Sequence, residues 1–319
     1  MPLGAWTGGN ATYRRRMALV SGLVAVVFVI QLVGVAVSFA PLGRAAGPVN
    51  LRIGFLEAVD TLNVFKGLND PSFELFGMIY DYLFSIDQDG NLVPNLAVAA
   101  HADSTGANWT YQIRQGVTWS DGTPFTAEDV NFTINYNIEN SSLLFNYQPY
   151  LNHVLLCGPG TEPYCGAKIT SPWNVTIYFD GPFVSGKAIF VPIIQKAQWE
   201  NIPLVDAQTK EVNCSPYPNA KPPIGTGPFI ADPNICTQKA LRQPIEVHKN
   251  PNYHPVGNHT GPSNIDNLFM QQFSDENQMV GALERGDIDV AKFTYSGYDA
   301  LAGQANIVRQ QGLICTQYW

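Results

Sequence analysis

Tyr111-Gln-Ile-Arg-Gln-Gly-Val-Thr-Trp-Ser-Asp-Gly-Thr-Pro-Phe-Thr-Ala-Glu-Asp-Val130 carries three local instructions in a row. Trp109, Tyr111 and Ile113 alternate with Thr110, Gln112 and Arg114, the two-residue period of a strand with one buried face, and Gly116 closes it. Asp121-Gly122 turns the chain. Thr126 with Asp129 three residues on is a capping box with Asp in place of Glu or Gln, so a helix is expected to start there and to bury Val130, Ile134 and Ile138. The turn and the cap read as scaffold that fixes the helix entry rather than as ligand-binding loops.

Upstream, Leu51, Ile53 and Phe55 alternate with Asn50, Arg52 and Gly54, as on a strand. Asp70-Pro71 reads as N-cap and first helical position, with Phe73, Phe76, Tyr80 and Leu83 at helical spacing and a turn at Asp89-Gly90. Downstream, Val175, Ile177 and Phe179 give another strand, and residues 213–244 form a long connection rich in proline. A polar, Gly/Pro/Asn-rich stretch from Pro251 to about Ser263 has linker composition. Beyond it come a strand (Leu268 to Phe273), a capped helix (Asp275 to Glu284, with Met279, Val280 and Leu283 apolar), Gly286 as the residue after the helix, and a strand (Ile288 to Phe293). A single βαβ step does not bury both faces of a parallel sheet, so this second unit is expected to need more chain. No internal repeat or low-complexity segment occurs.

The chain has 319 residues, 45% hydrophobic and 14% charged, which suits a folded protein larger than one ordinary domain. Arg14, Arg15, Arg16 and Arg44 precede residue 47, and the first acidic residue is Glu57, so the remaining body balances 14 basic against 26 acidic residues, a net −12. Such a body repels phosphate backbones, and nucleic acid is not an expected partner. Met17 to Ala40 carries no charge and as a helix reaches about 36 Å, enough for the hydrocarbon core. The three preceding arginines orient the N-terminus to the cytoplasm and the body to the outside. Residues 1–46 are therefore expected to be a membrane anchor or a signal cleaved near Gly43-Arg44-Ala45, without a lipid-modified cysteine. Sequons at Asn108, Asn131, Asn140, Asn174, Asn213 and Asn258 all follow this run and mark a potential glycoprotein. Cys157 and Cys165 bracket a Gly/Pro loop and Cys214 and Cys236 a Pro-rich one, as disulfide staples in an oxidising compartment would, although spacing does not fix the pairing. Cys315 is left over.

Around the 111–130 stretch, in order, stand Ile79-Tyr-Asp-Tyr-Leu83, Asn91-Leu-Val-Pro-Asn-Leu-Ala97, Ile224-Gly-Thr-Gly-Pro-Phe229, Lys249-Asn-Pro-Asn-Tyr253 and Ala282-Leu-Glu-Arg-Gly-Asp-Ile-Asp-Val290. Together these segments resemble the extracellular solute-binding proteins of family 5, the oligopeptide- and dipeptide-binding class that feeds ABC importers. The resemblance implies an α/β, type II periplasmic-binding-protein-like fold of two hinged lobes with mixed sheets. It places lobe I at residues 47–262 and the start of lobe II at 263–319. Family members complete the second lobe and return to the first, so the chain is expected to be a C-terminally truncated piece. The implied function is an anchored extracytoplasmic receptor that captures di- or oligopeptides between its lobes and delivers them to permease subunits. Rival readings keep the fold with an oligosaccharide or metal chelate as ligand, or make the chain a secreted hydrolase or a fragment without function. No enzyme activity, cofactor or metal is expected: no G-x-S-x-G, H-E-x-x-H or P-loop pattern occurs, and His248, His254 and His259 read as loop histidines.

The resemblance also nominates ligand contacts. Leu56, Glu57 and Ala58 follow the first strand as one wall, and Thr226 and Gly227 stand where glycines permit close backbone approach, either to a ligand or in a tight turn. Tyr295 and Tyr298 would line the facing side or simply pack. Arg114 is read as a sheet-edge ion-pair partner or a ligand clamp. The acidic group that pairs with a peptide's ammonium in relatives lies in a later region than this chain contains.

Overall fold

A computed structural model describes residues 47–308 apart from 88, 140–147, 257–261, 294 and 305. The expected membrane segment, Cys315, the sequons at Asn140 and Asn258, His259 and the side chains of Tyr295 and Tyr298 lie outside the described residues. Among the described residues no helix is long and apolar enough to cross a membrane.

Two sheets organise the body. In the first, strand β1 (Asn50–Phe55) is flanked by two parallel partners, β10 (Asn267–Gln272) and β11 (Val290–Ala291). Antiparallel β9 (Ile245–Lys249) and then β8 (Phe229–Ala231) extend the β10 side. The second sheet is antiparallel throughout, in the order β4 (Ala97–Ala102), β5 (Asn108–Ile113), β7 (Asn174–Tyr178), β6 (Ala167–Ser171). A hairpin of β2 (Phe84–Ile86) and β3 (Leu92–Pro94) turns at Asp89-Gly90, where Asp87 Oδ1 accepts from the backbone N–H of both Asp89 and Asn91. Strands β9 and β10 lie on opposite sides of the boundary expected at residue 262 and are neighbours in one sheet.

Helix α1 (Asp70–Ile79) has Asn69 rather than Asp70 at its N-cap position, one residue earlier than expected and without a side-chain cap bond, which puts Pro71 in the first turn where its missing N–H costs nothing. Its buried stripe is Ser72, Leu75, Phe76 and Ile79, whereas Phe73 stays 38% exposed and Tyr80 already belongs to the exit from the helix. The helical spacing of Phe73, Phe76, Tyr80 and Leu83 thus overran the helix by a turn. Helix α2 (Ala127–Ile138) begins at the expected box: Thr126 Oγ1 accepts from the Glu128 N–H and Asp129 Oδ2 from the Thr126 N–H. Asp129 does more than cap, since its other oxygen accepts from the Lys196 N–H at 2.9 Å. The Asp121 turn is held likewise, by Gln195 Nε2 on Oδ2 and the Thr123 N–H on Oδ1.

The connection from residue 196 to 240 contains four-residue α4 (Lys196–Trp199), α5 (Leu204–Thr209) and α6 (Ile235–Ala240), and α3 (Gln148–Leu151) precedes them. Disulfides join Cys157 to Cys165 and Cys214 to Cys236. Strand β10, helix α7 (Glu276–Arg285) and β11 are the expected βαβ step, with Asp275 as N-cap and Gly286 left-handed at φ 75°. Helix α7 lies against β1 at Gly54, where an added Cβ would stand 2.7 Å from Ile288 and 3.1 Å from Met279. Residues Tyr295–Ala300 form α8.

Candidate functional site

Parallel strands leave their carboxyl ends side by side, and in open α/β sheets the space outside those ends is where ligands settle. Leu56, Glu57 and Ala58 emerge from β1 at this edge, beside Gln272 at the end of β10. The Leu56 carbonyl accepts from Gln272 Nε2 at 3.4 Å and the Ala58 carbonyl from Asn69 Nδ2 at 3.1 Å, so two of the three nominated backbone acceptors already have internal donors. The Glu57 side chain is exposed. Glu57, Ala58 and Gln272, together with Lys239 near the end of α6 and Arg242 and Gln243 from the α6–β9 turn, line a small open crevice of about 40 Å³.

Thr226 and Gly227 lie elsewhere, in the interior. Thr226 is fully buried and its hydroxyl donates to Asp81 Oδ2 at 3.0 Å. The Gly227 N–H donates to the Ile79 carbonyl at 2.9 Å, which ends α1 against this loop. A Cβ on Gly225 would sit 1.8 Å from that carbonyl oxygen, and one on Gly227 2.6 Å from the Met78 oxygen. The close backbone approach that the glycines allow is therefore to helix α1. Helix α8 starts at Tyr295, and the side chains of Tyr295 and Tyr298 are outside the description.

Sequence reasoning missed the polar network to which Thr226 belongs. Asp81 is buried and receives Asn95 Nδ2 at 2.9 Å and the Tyr253 hydroxyl at 3.3 Å on Oδ1, besides Thr226 on Oδ2. Asn95 also donates to Ser85 Oγ at 2.8 Å, so its Oδ1 is left to accept from His254 Nε2 at 2.7 Å. Reversing the Asn95 amide would turn its oxygen toward a carboxylate, so the arrangement holds His254 as the Nε2–H tautomer, with Nδ1 buried and unpartnered among the described residues. Arg114 Nε donates to the Asn95 carbonyl at 2.6 Å, which makes Arg114 a brace of this network rather than a sheet-edge ion-pair partner.

Burial pushes the Asp81 carboxyl up to about 6, against the pull of Asn95, Thr226, Tyr253 and the Arg114 charge. Burial, with Arg114 adding to it, pushes His254 down to about 4. Asp81, Asn95, Arg114, Thr226 and Tyr253 come from five of the six sequence segments that carried the family resemblance. In two of them the signal is visible locally, Asp81 within Ile79-Tyr-Asp-Tyr-Leu83 and Thr226 within Ile224-Gly-Thr-Gly-Pro-Phe229, each a polar residue among apolar and turn-forming neighbours.

His248 also has a pair of partners, Asp232 on Nε2 at 2.7 Å and Asn267 on Nδ1 at 2.9 Å, with Glu246 3.8 Å from Nδ1. Asp232, Glu246 and His248 each offer a ligand atom within 4.8 Å of the others, and His248 stands on β9 rather than in the loop expected of it, with both ring nitrogens facing side-chain partners. Cys157 and Cys165 lie near Glu162 but are joined to each other.

A parallel core with antiparallel extensions and a second, antiparallel sheet make a mixed α/β fold of the periplasmic-binding-protein type. Residues 91–318 match the family model of bacterial extracellular solute-binding proteins, family 5 Middle, and the chain belongs to that family. It is 26% identical over 243 residues to the oligopeptide-binding protein AppA of Bacillus subtilis strain 168, covering 75% of this chain and 40% of the relative. The periplasmic murein peptide-binding protein MppA of Escherichia coli K12 is 22% identical over 195 residues, 58% of this chain and 34% of the relative. Among solved structures, AppA in complex with a nonapeptide superposes with a TM-score of 0.66 at 21% identity, over 81% of this chain and 47% of that one. NikZ from Campylobacter jejuni in complex with Ni(L-His) gives 0.62 at 19% identity, over 81% and 46%. The chain spans about half the length of these relatives or less.

Proposed function

We propose that this chain is part of an extracytoplasmic receptor of an ABC importer, which closes two lobes around a di- or oligopeptide and passes it unchanged to permease subunits. Family membership carries the reading, and the open crevice at the carboxyl ends of β1 and β10 supplies a wall for the guest. Such a receptor works by differential affinity for open and closed forms, so it needs no nucleophile. The relatives named for oligopeptide and murein peptide binding favour a peptide. Two disulfides suit the oxidising side of a membrane, and residues 1–46 would supply the anchor or export signal.

We read the first sheet as the base of one lobe, with β10 and β11 included because both pair with β1. The passage to a second lobe then begins after β11, about thirty residues beyond the linker-like stretch near 251–263.

Calorimetric titration of the full natural gene product with tri-alanine, a nonapeptide, xylotriose and nickel–histidine separates the readings. Saturable binding of either peptide, with neither turnover nor response to the other two, is the expected result. Exclusive binding of nickel–histidine would transfer the chain to the chelate reading, for which the NikZ complex is the precedent. Hydrolysis of the peptides would make it an enzyme.

A further inference from the structure

We propose that the crevice at the ends of β1 and β10 receives a carboxylate of the bound ligand on Arg242, with Glu57 across the crevice steering that carboxylate away from β1. The inference rests on the peptide-receptor reading and names the chemistry of one of its subsites.

Three observations point there. First, the crevice lies at the topological edge where ligands of open α/β sheets bind, since β9 runs antiparallel to β10 and its start at Ile245 lies beside the end of β10 at Met270. Second, Arg242 and Glu57 line the same crevice with opposite charges, yet neither side chain has an ion-pair or hydrogen-bond partner among the described residues. Each charge is thus left available to a third party. Lys239 also lines the crevice and, although it pairs with Glu211 at 3.5 Å, adds to the positive side.

Third, Arg242 sits at φ 55°, in the left-handed region, directly after helix α6 and its cap Leu241. Its N–H donates to the Lys239 carbonyl at 3.2 Å and the Gln243 N–H to the Gln238 carbonyl at 2.9 Å, which closes the helix in the way a glycine usually does. Arginine there raises the conformational cost without adding any internal contact. A strained non-glycine residue at the rim of a crevice is the kind of feature that function retains. The planar fork of donors that Arg242 carries suits a carboxylate, which accepts two parallel N–H bonds.

The test uses tri-alanine and its C-terminal amide as probes against wild type, Arg242→Gln, Arg242→Gly and Glu57→Gln. Arg242→Gln is expected to weaken tri-alanine at least tenfold and to leave the amide unchanged, and Glu57→Gln to tighten tri-alanine a few-fold. Arg242→Gly is expected to melt at or above the wild-type temperature while losing tri-alanine as Arg242→Gln does. Equal affinities of wild type and Arg242→Gln for tri-alanine overturn the proposal, as does a lower melting temperature for Arg242→Gly, which would make the arginine a structural element. If wild type binds neither tri-alanine probe, the nonapeptide and its C-terminal amide take their place in the same comparison; if wild type binds none of the four, the peptide reading itself fails and this subsite fails with it.

Discussion

Nε2 of His254 stands 4.0 Å from Oδ2 of Asp81, with both side chains buried, yet its proton goes to Asn95 Oδ1 at 2.7 Å. The pair is thus kept apart by an amide that donates to one and accepts from the other. Near pH 5 both groups are neutral in the folded protein, Asp81 because its pKa is raised to about 6 and His254 because its pKa is lowered to about 4. In the unfolded chain at that pH both are charged, with opposite signs, so the proton count is the same and the pair contributes little net pH dependence.

Removing one partner exposes the other. Asp81 alone contributes stability that is full below pH 4 and is lost as pH rises through 6; His254 alone contributes stability that is full above pH 6.5 and is lost as pH falls toward 4. Each contribution is on the order of 3 kcal/mol. Urea unfolding of Asp81→Asn between pH 4.5 and 6.5 should therefore show stability rising with pH, and of His254→Asn stability falling with pH. Parallel slopes in the two variants would contradict the arrangement.

Gly225 and Gly77 make opposite predictions for the same substitution. A methyl group at Gly225 runs into the Ile79 carbonyl at 1.8 Å, backbone that has no freedom to retreat, so Gly225→Ala should cost more than about 3 kcal/mol or prevent folding. Gly77 lies on the exposed face of α1 with nothing within 4 Å, so Gly77→Ala should gain about 0.5–1 kcal/mol. Thermal melts of the two proteins side by side decide both.

The two disulfides differ in the length of chain they close, 8 residues for Cys157–Cys165 and 22 for Cys214–Cys236. Chain entropy assigns them about 2.5 and about 3.4 kcal/mol. Replacing Cys214 and Cys236 together by alanine should accordingly lower the unfolding midpoint more than replacing Cys157 and Cys165. The reverse order would show that the longer loop is held by its packing instead.

At the start of α2, Thr126→Ala removes one cap bond and should cost about 1 kcal/mol. Asp129→Ala should cost at least twice that, since Asp129 accepts from the Thr126 and Lys196 N–H groups and from Trp119 Nε1 at 3.4 Å. Equal losses would mean that the contacts outside the cap contribute nothing.

Much of the scaffold was legible because local chemistry and tertiary structure agree there. The Thr126–Asp129 box, the Asp275 cap, Gly286 and the 109–113 alternation all stand where the pattern put them. Strand β4 was missed: Ala-Val-Ala-Ala-His-Ala has no strand propensity of its own and is held by pairing with β5. The 288–293 strand shrank to Val290–Ala291, since pairing with β1 extends over only two residues. The nominated site divided in a similar way. The place of Leu56 to Ala58 at the sheet edge follows from strand position alone, whereas the burial of Thr226 depends on contacts 145 residues away in sequence, which no local pattern encodes.

The gathering of Asp81, Asn95, Arg114, Thr226 and Tyr253 in the interior means that the sequence signature records how the protein holds itself together, not what it carries. Two chains sharing every one of those letters are free to differ completely in cargo. Specificity in such proteins should then drift quickly at the rim while the signature stays still, and diet is best inferred from the variable turns that border it.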